Sequence, residues 1–175
     1  MRNLTDQLAN YAAYHRDRRN IATHFIGIPM IVFAITVLLS RPAFEVAGIL
    51  LNPAWIAVAA SGVFYLMLSR AYGLVMTALF ALSAWASGLV AAQSTATWLA
   101  TGIGFFVVGW VLQFIGHYYE GRKPAFVDDL VGLLIGPLFV VAEVAFALGL
   151  SSGLKNEIEK RVGPTHGAVS RAQMT

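Results

Sequence analysis

Three of the four histidines in this chain stand at the ends of long apolar stretches: His15 and His24 just before the first, and His117 just after a later one. Ionisable side chains are costly at bilayer depth and are kept where they face protein, water or an ion. Histidines gathered at such ends therefore point to a metal site at a membrane surface. Gln113, His117 and Glu120 follow one another at i, i+4 and i+7, which puts an amide, an imidazole and a carboxylate on one face of a helix. Two histidines plus a carboxylate, with positions left open, is the ligand set of many non-haem iron oxygenases, and a third histidine in place of the carboxylate would also serve. Cysteine is absent, so thiolate ligation and disulfides are excluded and any ligand must be nitrogen or oxygen. Those donors suit iron, manganese or zinc.

Two elements must bring these residues together. Leu4, Leu8, Tyr11, Ala12 and His15 share one helical stripe, with Asp6, Arg16 and Asn20 elsewhere around it, which predicts an interfacial amphipathic helix over residues 3–20. His15 and His24 would lie on opposite faces of one straight helix of about 3.6 residues per turn, so a shared ion requires a bend, expected near residues 19–22. Asn20 precedes His24 by four positions and is placed to orient its imidazole or a bound water. Pro29 is expected to kink the segment that follows.

Hydrophobic residues make up 58% of the 175-residue chain and charged residues 12%, with a mean hydropathy of +0.68. That balance excludes an ordinary soluble domain. Apolar runs at 25–40, 54–69, 72–92, 97–116 and 130–150 predict an all-α polytopic membrane bundle with four to five transmembrane segments. The loops are too short for a second domain, so residues 1–175 read as one membrane domain: the interfacial helix, a bundle over 25–150, and a polar tail over 151–175. Arg16, Arg18 and Arg19 before the first run, Arg70 after the second, and Arg122 with Lys123 after the fourth place the amino terminus and the histidine-bearing rim on the cytoplasmic side, whereas residues 93–96 carry no charge. The first run lacks a small-residue cleavage pattern and reads as retained. Four crossings return the chain to its starting side, so His117 can meet His15 and His24.

The fifth run breaks that count, because crossing would place Lys155, Lys160 and Arg161 outside, though Glu157 and Glu159 accompany them. Gly136 and Pro137 interrupt this run, and re-entry as two half-helices is the favoured reading. Gly132 and Gly136 have a small-xxx-small spacing suited to close helix contact. Asp128 and Asp129 read as a helix N-terminus. Glu143, a carboxylate inside an apolar run, is a candidate outer partner of the site. His166, in a Gly-Pro-rich tail, reads as a solvated, non-binding histidine. The net charge of +3 fits a cytoplasmic membrane rim, and no nucleic-acid fold accompanies it.

The stretch Tyr14-His15, Asn20, His24, Gly27 and Pro29, with Gly109-Trp110, Gln113-Phe114-Ile115-Gly116-His117, Glu120 and Pro124-Ala125, resembles the iron-dependent 2-hydroxy fatty acid dioxygenase family. Gly136-Pro137 with Phe139 and Glu143 is similar to that family's carboxyl-terminal portion, so the likeness covers most of residues 11–145. It implies α-oxidation with Fe(II) and dioxygen, in which a 2-hydroxy fatty acid loses its carboxyl carbon and becomes one carbon shorter. It further implies residence in the endoplasmic reticulum if eukaryotic, where members serve phytosphingosine breakdown, and in the inner membrane if bacterial.

The residues suit that chemistry. A 2-hydroxy carboxylate can chelate a metal through its hydroxyl and carboxylate oxygens and leave a position for dioxygen. The expected ligands are His15, His24 and His117, with Glu120 a fourth ligand or a partner of one, and with Asn20 and Gln113 beside it. Arg16, Arg19, Arg122 or Lys123 would draw the substrate carboxylate to the rim. Each has a plainer reading: His15 as an interfacial side chain, Glu120 as a partner of Arg122 or Lys123. Two other classes stay open, a zinc-dependent membrane amidohydrolase acting on a lipid and a non-catalytic transporter or scaffold that treats the histidines as anchors or relay groups. A homo-oligomer is compatible with all of them.

Overall fold

The structure, a computed structural model, describes residues 3–167. It is built of helices: α1 (Leu4–Ala12), α2 (Arg18–Ser40), α3 (Pro53–Leu68), α4 (Arg70–Ala91), α5 (Thr95–Glu120), α6 (Gly132–Ala147) and α7 (Ser152–Val162), with one short hairpin, β1 (Phe44–Val46) and β2 (Ile49–Leu51). Among the described residues three helices, α2, α4 and α5, are long and apolar enough to cross a membrane, and α3 is a shorter apolar helix. Helices α6 and α7 are bent by 115° at their junction, which makes them a broken span or a re-entrant loop. The all-helical architecture expected from the apolar runs is therefore present and fits a helical membrane bundle, with three such candidate spans among the described residues, or four if the bent pair counts as one, where four to five were expected.

Two boundaries differ from expectation. The amino-terminal helix does not continue to residue 20; it stops at Ala12 and helix resumes at Arg18, so the bend between His15 and His24 lies upstream of residues 19–22. Asp17 supplies the reason, because its Oδ1 accepts the Arg19 backbone N–H at 2.8 Å, as an N-cap side chain does. Nor do Gly136 and Pro137 break the carboxyl-terminal run. Helix α6 passes through both. The break comes at 148–151, where Gly149 (φ 74°) and Ser151 (φ 56°) take left-handed conformations that end a helix.

The chain divides into two compact units, Pro29–Trp110 and a second made of Met1–Ile28 with Val111–Thr175. In the first, Ala47 and Gly48 both have positive φ, the backbone of a two-residue hairpin turn, and Phe44 pairs with Leu51 across the strands. Asn52 caps α3, whose first residue is Pro53. Ser69 is extended and separates α3 from α4. A Cβ on Gly73 would lie 2.6 Å from the Leu66 backbone, so only glycine permits this approach. Thr36 Oγ1 lies 2.8 Å from both Ser83 Oγ and Ser87 Oγ. Leu74, Leu82, Trp85 and Leu89 of α4 are exposed, an arrangement that suits lipid and not water.

In the second unit α1 packs against α6 and α7. Leu8, Ala12, Ile135, Leu138 and Phe139 form the buried apolar part. A Cβ on Gly136 would meet the Tyr11 hydroxyl at 2.9 Å, which gives the small-residue spacing seen in the sequence its use. Arg161 of α7 binds Asp6 of α1 at 2.8 Å.

Candidate metal centre

The second unit gathers three imidazoles. His15 comes from the 13–17 turn, His24 from the second turn of α2 and His117 from the last turn of α5, and they are 0%, 1% and 6% exposed. One ring nitrogen from each lies within 4.8 Å of the others. Ring centroids are 4.5 Å apart for His15 and His24, 4.9 Å for His15 and His117, and 5.0 Å for His24 and His117. The convergence expected of these histidines is found; of the four helices α2 to α5 that precede or carry His117, α3 is shorter than the three long apolar ones.

The hydrogen bonds decide the tautomers. His15 Nδ1 lies 2.7 Å from the Tyr11 carbonyl and His24 Nδ1 lies 2.9 Å from the Asn20 carbonyl. A carbonyl can only accept, so each Nδ1 carries the hydrogen and each Nε2 presents a lone pair. Those two Nε2 atoms stand 3.0 Å apart. Two bare lone pairs at that distance repel unless a cation shares them. Burial first, and the adjacent His24 second, hold the His15 imidazole well below its ordinary pKa. Two nitrogens each about 2.0–2.1 Å from one metal ion would stand roughly 3 Å apart at adjacent coordination positions. His117 Nδ1, Asn20 Oδ1 and Gln113 Nε2 are buried without a hydrogen-bond partner, which is what a site built for an ion and its remaining ligands leaves behind. The residues present fit a divalent metal.

Around the rings, the other expected residues take specific places. Glu120 is not among the grouped ligands of the described residues. Its Oε1 accepts Arg16 N–H, and its Oε2 accepts Asp17 N–H and Asn20 Nδ2, each at 2.9 Å. It thus fastens the His15 turn to the end of α5. Asn20 orients His24 through its backbone carbonyl, while its side-chain amide spans Tyr14 O and Glu120. Gln113 is buried on the same face of α5, 5% exposed.

The four cations proposed for a substrate carboxylate all have partners. Arg16, 7% exposed, donates Nε to Ala12 O and His15 O and Nη1 to Gly163 O. Arg19 pairs with Asp17 at 2.7 Å and lies over the Tyr119 ring. Arg122 donates to Ala13 O, and Lys123 pairs with Asp128 at 2.6 Å. Neither Arg122 nor Lys123 takes the Glu120 carboxylate. Glu143 shares a small recess with Arg16, Lys155 and Glu159, so its link to the histidines runs through Arg16.

Three contributors were not singled out from the sequence. Tyr11 stacks on His15, centroids 4.1 Å apart and planes 6° from parallel, and its carbonyl holds the ring; the i, i+4 interval to His15 was the available signal. A Cβ on Gly116 would collide with Thr23 Oγ1 and Asn20 Oδ1, so glycine next to His117 lets α5 approach the start of α2. Asp17 ends the turn as described above. Tyr11 also borders a cavity of about 520 Å³ that Gln7, Asn10, Tyr14, Arg122 and Asp128 line.

Residues 1–148 match the family described as Mpo1-like, 2-hydroxy-palmitic acid dioxygenase Mpo1-like. The chain is 33% identical over 158 residues to the 2-hydroxy-palmitic acid dioxygenase MPO1 of Saccharomyces cerevisiae, covering 89% of this chain and 87% of the yeast protein. No solved structure is significantly similar. The family match takes in His15, His24 and His117 with the turn and the two helices that hold them, and the chain belongs to the Mpo1-like family of 2-hydroxy-palmitic acid dioxygenases.

Proposed function

We propose that this protein is an iron-dependent membrane dioxygenase that converts 2-hydroxy fatty acids into fatty acids one carbon shorter, with its site on the cytoplasmic face. The observation that carries the metal is the pair of inward Nε2 lone pairs of His15 and His24, each fixed by a carbonyl on the far side of its ring. Membership of a dioxygenase family supports the reaction class. Ferrous iron, when bound by His15, His24 and His117, supplies dioxygen activation.

The rest falls to the chain. Tyr11 O and Asn20 O keep the two rings in one tautomer, and Glu120 keeps the His15 turn against α5. Arg122, at the cavity that adjoins Tyr11, gives the substrate carboxylate a cation beside the site. Overall, the C1–C2 bond breaks, C2 rises to the carboxylic acid level and C1 leaves as carbon dioxide, with water as the other product. The substrate gives up four electrons and dioxygen takes four, so no separate reductant is required.

The test uses untagged protein in mild detergent, elemental analysis, and dioxygen uptake with 2-hydroxypalmitate against palmitate. Stoichiometric iron and uptake only with the 2-hydroxy acid are expected. Zinc alone, with no dioxygen uptake after anaerobic reconstitution with Fe(II), would move the assignment to a lipid amidohydrolase. Failure to bind any metal would favour a non-catalytic role.

A further inference from the structure

The turn that carries His15 is held from two sides, and only one of them belongs to α5. Glu120 takes the N–H groups of Arg16 and Asp17. The outward groups of the same turn go elsewhere. Arg16 O accepts His166 N–H at 2.9 Å, and Arg18 N–H donates to His166 O at 3.0 Å, which makes a parallel bridge between Asp17 and His166. Arg16 Nη1 adds a bond to Gly163 O at 3.0 Å. Helix α7 delivers this segment: the Arg161 pair with Asp6 fixes its last turn on α1, and Gly163, at φ 82°, turns the chain back beyond it. The α7 and 163–166 side of these contacts lies outside residues 1–148, the extent of the family match.

We propose that residues 163–166 form a strap that positions the metal ligand His15 through the backbone of the turn on which it sits. This rests on the metal reading above. Three of the strap's bonds end on Arg16 and Arg18, the first flanking His15 directly. Without them Arg16 O and Arg18 N–H lose their partners, and the turn keeps its bonds to Glu120, Asn20 and Arg122. The histidine ring of residue 166 takes no part, since its Nδ1 faces the carbonyl of Gly167 at 3.1 Å. The strap acts by its main chain, so the side chain of His166 can change while its N–H cannot.

The experiment compares the full-length protein with His166→Ala, His166→Pro and a chain ending at Thr165. Fe(II) affinity is measured anaerobically by chelator competition, and the visible spectrum of the Co(II)-loaded protein is recorded, with His15→Ala as reference. Alanine keeps both backbone bonds and should behave as wild type. Proline and the truncation remove the N–H donor and should weaken metal binding roughly ten- to a hundredfold, the usual loss for outer partners of a ligand. Their Co(II) spectra should move towards that of His15→Ala, a change that a general loss of stability would not produce. Wild-type affinity and spectrum in both altered chains, or aggregation of both, would overturn the strap while leaving the metal site intact. A wild-type protein that binds neither metal would overturn the metal reading itself.

Discussion

Replacing Glu120 with glutamine tests how the site is held. The carboxylate, 7% exposed, accepts three hydrogen bonds at 2.9 Å, two from the backbone of the His15 turn and one from Asn20. Hydrogen bonds to a charged group are worth about 1.5–3 kcal/mol each, and a stranded buried donor costs about 1–3 kcal/mol. Glutamine is nearly isosteric and has one oxygen. Turned towards Asp17 N–H and Asn20 Nδ2, it keeps two weakened bonds but aims its NH₂ at Arg16 N–H, donor against donor. The net loss is about 2–4 kcal/mol, or roughly 5–15 °C in melting temperature for a chain of this size. Thermal unfolding of the metal-free protein in detergent reads this directly. A carboxylate that served only as a metal ligand would behave oppositely, since its removal relieves an unpaired buried charge and leaves the metal-free protein as stable or more so. An unchanged or raised melting temperature in metal-free Glu120→Gln would refute the positioning role.

Other outcomes follow from the same geometry. Gly116→Ala forces a methyl group against Thr23 and the Asn20 side chain; overpacking of this kind costs about 1–3 kcal/mol, and metal content should fall with stability. His24→Ala and His117→Ala should each lose bound iron while keeping the helical circular-dichroism signal; retention of stoichiometric iron in either would remove that residue from the ligand set. Saturating Fe(II) at a hundred times its dissociation constant should stabilise the wild-type protein by about 2.7 kcal/mol, and this stabilisation should vanish when all three histidines are alanine. Tyr11→Phe, which keeps the ring stacked on His15 and the backbone carbonyl that orients it, should bind iron normally, whereas a proline at Tyr11 should not.

The helical class, the apolar segments and the grouping of three histidines were legible in the sequence because each depends on local composition or on the expected count of crossings. Hydrophobic length specifies a helix wherever it lies, and the convergence of His117 with His15 and His24 is what an expected count of four crossings implies. Periodicity likewise put Gln113, His117 and Glu120 on one buried face of α5. What each of these does there was not legible. Glu120 has the type and spacing of a ligand, yet its lone pairs are taken by N–H groups more than a hundred positions earlier in the chain. The hairpin at residues 44–51 carries no clear sequence signal, because its turn is Ala-Gly and lacks the usual asparagine or aspartate.

Sequence by itself determined which side chains could ligate a metal, since donor chemistry belongs to residue type, and which segments were apolar enough to be helices in a membrane. Tertiary structure decided the orientation of those donors. Carbonyls of Tyr11 and Asn20 turn two lone pairs towards each other, Gly116 lets two helices close to the needed distance, and His166, a tail residue by composition, becomes the backbone partner of the turn that carries His15. Such contacts join residues far apart in the chain, and their geometry arises only when the helices pack.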